Sequence, residues 1–127
     1  MNKKLVLALM LLISLPGCAT YENTRKPENM TSLHIDKDYL EAYRAINETM
    51  LNDCHTIPSA LRSTVFPDNE SATIIVGEAG IITYSLDLKK SPAGGADMQF
   101  YSYYKGMVRI ALKMQNNLNR GIKGCYW

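Results

Sequence analysis

Histidine is nearly absent from this sequence: His34 and His55 are the only two, 21 residues apart. Clustered metal ligands are spaced far more closely, so no metal site is expected. Cysteine is scarce as well, with three in 127 residues and no Cys-x-x-Cys among them, which disfavours a dithiol redox centre. The sequence has no Gly-x-Ser-x-Gly elbow, Ser-x-x-Lys pair, His-Glu-x-x-His or phosphate loop. The glycines in Gly77-Glu78-Ala79-Gly80 and Ala93-Gly94-Gly95 do not open a helix after a strand at the spacing a phosphate cradle needs. No cofactor is expected. Glycoside-hydrolase carboxylates meet only in space, so Asp68, Glu70, Glu78, Asp87 and Asp97 stay open as acid–base candidates. No internal repeat or low-complexity tract is evident, and one domain suffices for this length.

What is present begins at the N-terminus. Lys3 and Lys4 precede a charge-free apolar run, Leu5–Leu15, broken only by Ser14, and small residues follow. These are the parts of a secretory signal. As a helix, 11 residues extend roughly 16 Å at about 1.5 Å per residue. A bilayer core is about 30 Å thick, so cleavage fits better than a stable span. The run ends in Leu15-Pro16-Gly17-Cys18, which resembles the lipobox of bacterial lipoproteins: a Leu, a variable residue and a small residue before an obligatory Cys. Pro16 departs from the small or β-branched residue more often found at the variable position.

The resemblance implies diacylglycerol on the Cys18 sulfur, cleavage between Gly17 and Cys18, and acylation of the new amine. It covers only about the first 20 residues, and no functional family is suggested for the rest. An ordinary secretory signal cut near Ala19 is the competing reading. Stable anchoring takes two acyl-type signals, which a triacylated Cys18 would exceed. Ala19 stands where an Asp would favour retention at the inner membrane in enteric-type sorting. The resemblance therefore implies an outer-membrane lipoprotein facing the periplasm.

Processing changes the charge. The full chain carries 14 basic and 12 acidic residues. Loss of residues 1–17 removes Lys3 and Lys4, leaving 12 of each. Nucleic-acid binding leaves a basic footprint, and none survives, so no nucleic-acid partner is expected. Electrostatic docking on anionic lipid is not expected either.

With Cys18 assigned to lipid, Cys54 and Cys125 remain. Small exported domains in oxidising compartments commonly carry disulfides, so these two are expected to pair. A reactive Cys54 thiol and intermolecular pairing are the alternatives. The adjacency of Cys54 and His55 does not make a nucleophile pair, which is defined in space.

Residues 18–36 read as a lipidated terminus and flexible tether, because their polar, aperiodic composition buries little apolar surface. Eighteen coil residues reach roughly 23 Å. In an alternative, Leu33 and Ile35 open a short edge strand. The domain is expected over 37–127. Asp38 caps a helix predicted over 38–53, with Tyr39, Tyr43, Ile46 and Met50 on one stripe. Residues 55–71 carry turn signals, with Ser63–Phe66 as a short strand candidate.

Strands are predicted over 72–76, 81–88 and 97–103, the first two joined as a hairpin at Gly77–Gly80. A loop, 89–95, forms a flexible rim. A second helix from Tyr104 carries Met107, Val108, Ala111, Met114 and Leu118, and Gly121 stops it. The expected fold is α+β, a two-layer α-β-β-β-α domain with a three-stranded antiparallel sheet packed by two helices.

The function expected is a non-catalytic binding, adaptor or assembly module in the envelope, held by its lipid and meeting a protein partner. Tyr101, Tyr103, Tyr126 and Trp127 form the candidate partner surface, because aromatics are enriched at hot spots. The bland reading is that these rings cover the sheet and seal the disulfide. A glycan or a second copy of the domain are alternative occupants. A small hydrolase acting on wall or glycan, and an inhibitor or immunity-type protein working through the 89–95 loop, are the competing functions.

Overall fold

The computed structural model describes residues 19–127. Leu15–Cys18, with its lipobox resemblance, lies outside the described residues. Five antiparallel strands form one sheet in the order β1-β5-β4-β3-β2. They are β1 (Met30–Ile35), β2 (Leu61–Phe66), β3 (Ser71–Glu78), β4 (Ile81–Lys90) and β5 (Ala96–Tyr101). A short α1 (Tyr21–Thr24) precedes β1. Helix α2 (Tyr39–Glu48) crosses from β1 at one edge to β2 at the other, and α3 (Val108–Arg120) follows β5.

The α+β class, the antiparallel pairing and the single disulfide agree with expectation. The three-stranded sheet does not: it has five strands. Strands β2 and β1 complete it at the two edges, and both are weakly apolar. In β2 the inward side chains are Leu61, Ser63 and Val65, with Ser63 donating a short hydrogen bond to Asn47 of α2. The periodicity is half polar, and the packing comes from partners distant in sequence.

The tether expected over 18–36 is overturned from Ala19 onward. Its polar composition does not order itself. Instead, Met30–Ile35 pairs along its whole length with β5, Met30 opposite Tyr101 and Ile35 opposite Ala96. Backbone pairing and the insertion of Ile35 into the core supply what local composition lacks. Upstream, the Ala19 carbonyl accepts a 2.7 Å bond from the Ile82 N–H of β4. Residues 19–36 belong to the folded unit.

Asp38 caps α2 by accepting from the Leu40 N–H at 3.1 Å. Ala42, Ile46 and Met50 go into the core, Met50 from a wider turn over Thr49–Asp53. In α3 the buried side chains are Ile110, Ala111, Met114, Asn117 and Leu118. Tyr104 and Val108, placed on the apolar stripe by sequence, are exposed, because Lys105–Met107 forms a separate turn before the helix starts. Gly121 ends α3 at φ 65°, as expected.

Both helices lie on the sheet face that carries Ile74, Val76, Tyr84, Leu86, Leu88, Met98 and Phe100. Tyr84 stacks on Phe100 at 5.0 Å and donates to the Met50 sulfur at 3.1 Å. Burial pushes the Tyr84 phenol well above its ordinary range, and Tyr126 nearby adds to the effect.

Cys54, just past the end of the α2 segment, is bonded to Cys125, which follows α3, with Cα atoms 4.8 Å apart. The β3–β4 turn uses Ala79 at φ 52° and Gly80 at φ 77°, the left-handed pair a two-residue hairpin demands. A bulge at Val76/Gly77 precedes it, and a Cβ on Gly77 would meet the Ile81 carbonyl at 2.2 Å. The 89–95 rim is also corrected. Lys89 and Lys90 continue β4, and Ser91–Gly95 is a tight turn closed by a 3.0 Å bond from the Ser91 N–H to the Gly95 carbonyl.

Candidate functional site

With α2 and α3 on one side, the other face of the sheet is free of the two long helices. The register sets its side chains in rows across all five strands. One row runs Ser32, Gln99, Asp87, Thr73, Thr64, and the next runs His34, Asp97, Lys89, Ser71, Phe66. This polar set follows from alternation, since the same strands send Ile74, Leu86, Leu88 and Met98 inward.

Residues 19–25 cover the part of this face near the start of β4. Arg25 is the clamp. Its guanidinium forms a salt bridge with Asp87, donates to the Ser85 hydroxyl at 3.1 Å, and sits 4.3 Å from the Tyr101 ring centroid and 5.1 Å from that of Tyr21. Thr73 donates to the other Asp87 oxygen at 2.7 Å. Beyond Arg25 a shallow depression of about 520 Å³ opens toward Phe66 and Asn69, floored by Thr73, Asp87, Lys89 and Gln99.

The four aromatics expected to form one partner surface are not brought together. Tyr101 is buried under Arg25, its hydroxyl donating to Gln99 at 3.1 Å. Tyr126 is in the core on the helical side; burial raises its phenol pKa, against the pull of a hydrogen bond with Thr49 and with a further push from Asp53. Trp127 is exposed, but its carbonyl accepts from Lys113 of α3. Tyr103 is exposed where β5 ends, edge-on to Tyr104. Alternation with the inward Met98 and Phe100 places Tyr101 on the outer face. What sequence could not show is the Arg25 segment lying over it.

The acidic candidates also separate. Asp87 and Asp97 share the outer face and both line the depression, but Asp87 is held by Arg25 and Thr73, and Asp97 lies 3.2 Å from His34 Nδ1. Glu70 pairs with Lys90 at 3.0 Å, Glu78 accepts from Ser59 at 3.4 Å, and Asp68 stands on the exposed turn after β2. Among the described residues no group of three or more His, Cys, Asp and Glu is placed to hold a metal ion, and no helix is long and apolar enough to cross a membrane. No protein-family model matches this chain, and no curated protein matches it in sequence.

Proposed function

We propose that this protein is a lipid-anchored envelope lipoprotein whose domain acts as a non-catalytic binding or assembly module. It is placed at the periplasmic face of the outer membrane and uses the open polar face of its sheet as the contact surface. The observation that carries this reading is the shape of that face. It is broad, open and lined by side chains of both signs, Lys89 and the Arg25–Asp87 pair among them, with Phe66 as an apolar contact at its rim. Such a surface suits a protein partner or glycan better than a reacting small molecule, which calls for an enclosed pocket. The address rests on the resemblance of Leu15–Cys18 to a lipobox.

The hydrolase reading has less support: Asp87 and Asp97 share a face, but each already faces a basic side chain and the depression they line is open. The inhibitor reading loses the long rim loop on which it depended. The test is cross-linking in the native envelope from a photoreactive residue in place of Gln99. A discrete protein adduct that is lost on Lys89→Glu supports the module. Turnover of wall material abolished by Asp97→Asn, with no adduct, supports the hydrolase instead.

A further inference from the structure

The lipobox cysteine is covalently next to Ala19, and Ala19 is buried with its carbonyl bonded to the Ile82 N–H. One trans peptide spans about 3.8 Å between Cα atoms. If Cys18 carries the lipid, the acyl chains leave the protein within one residue of the β4 backbone, with no spacer between membrane and sheet.

That point lies at one particular end of the sheet. Antiparallel pairing places there the starts of β1, β2 and β4 and the ends of β3 and β5. The N-terminus of α3 is there too, because its C-terminal Asn119 bonds Asp36 at the far end of β1.

This end is also where exposed apolar side chains gather. Met30 opens β1, Ile57 precedes β2, Ile81 opens β4, Tyr103 and Tyr104 follow β5, and Val108 opens α3; all are exposed, Ile57 at 58% and Ile81 at 51%. Tyrosines and aliphatic side chains at the headgroup boundary are the mark of surfaces that rest in the interfacial layer. The exposed charges at this end are of both signs, Glu28 and Glu78 with Lys26, Arg62, Lys105 and Arg109, so the contact is argued from its apolar side chains and not from charge.

We infer that this end of the sheet is a membrane-contact surface. It seats Ile57, Ile81, Tyr103 and Tyr104 in the lipid interface at the end of the sheet where Ala19 is bonded to β4, so that the sheet stands on the bilayer and its open face projects alongside. This rests on the lipoprotein reading and adds to it an orientation and a second, non-covalent lipid contact.

The test uses the full-length chain in a Gram-negative host, with photoreactive benzoylphenylalanine in place of Ile81, Tyr103 or Phe66. Phe66 is 43% exposed, as is Tyr103, but closes β2 at the opposite end. Recovery of the Cys54–Cys125 linked peptide certifies that each variant has folded, and the mass of the Cys18 peptide reports acylation. Phospholipid adducts at positions 81 and 103, and none at 66, are the expected result. Acylated Cys18 with no lipid adduct at 81 or 103, or with equal yields at all three positions, overturns the contact surface and leaves the anchor standing. An unacylated Cys18 overturns the anchor, and the inference with it.

Discussion

The Arg25 guanidinium is bonded to the Asp87 carboxylate, 62 positions away, while lying over the Tyr101 ring. This ties a short, polar N-terminal segment to the centre of the sheet. It converts what composition alone describes as coil into part of the fold. Arg25→Ala should remove the ion pair, leave Asp87 without its main partner and uncover Tyr101. Both side chains of the pair are less than a third exposed, so a loss of about 1–3 kcal/mol is expected. Urea unfolding measures it. A double-mutant cycle with Asp87→Ala should show coupling of at least about 0.5 kcal/mol; additive effects would contradict the clamp.

Inside the same segment, the Thr24 hydroxyl is buried and finds no hydrogen-bond partner among the described residues. A buried hydroxyl without a partner costs roughly 1–3 kcal/mol by the evidence of protein mutants. Thr24→Val keeps the shape and removes the polar atom. The unfolding midpoint should rise, by about 1 kcal/mol in stability; a fall would show that the hydroxyl is satisfied in solution.

The Cys54–Cys125 bond closes a loop with a sequence separation of 71. Chain-entropy arithmetic gives about 4 kcal/mol for a loop of this length. Cys54→Ser with Cys125→Ser should therefore lower the unfolding free energy by an amount of that order. A reductant should do the same to the natural chain. A shift under about 1 kcal/mol would mean that the reduced unfolded chain is already constrained.

Tyr84 and Tyr126 have phenols raised above their ordinary range, chiefly by burial. In the unfolded chain they ionise near pH 10; in the folded chain they hold their protons to higher pH. Above that value the unfolded state binds fewer protons than the folded one, so stability falls as pH rises. Each group removes up to about 1.4 kcal/mol per pH unit until its folded pKa is passed. Below pH 10 the two contribute no slope. Unfolding midpoints from pH 8 to 12 test this, with Tyr126→Phe flattening the alkaline limb.

The central hairpin and both long helices were legible because each carries its signal locally. Ala79-Gly80 supplies two left-handed positions, β3 carries a run of β-branched residues, β4 sets Ile82, Tyr84, Leu86 and Leu88 against Thr83, Ser85 and Asp87, and Asp38 precedes a helical stripe. The disulfide followed from counting. Strand β1 was legible only as an alternative, since Leu33 and Ile35 are its only aliphatic inward residues and Pro27 with polar neighbours precedes it. Its order comes from β5, more than sixty residues later, and no window along the chain contains that partner. The candidate site fared worse. Asp87 and Gln99 alternate with apolar neighbours along their strands, but Arg25 carries no local mark, and Tyr126 is buried because Cys125 beside it is drawn to Cys54.

The proposed placement on the membrane depends on lipidation of Cys18, whose neighbour Ala19 is bonded into the sheet. The most direct measurement is the mass of the N-terminal peptide of the exported protein, taken with and without globomycin. The expected result is a triacylated peptide beginning at Cys18, replaced by an unprocessed precursor under globomycin and lost on Cys18→Ser. An unmodified N-terminus at Ala19 or later, insensitive to globomycin, would contradict it.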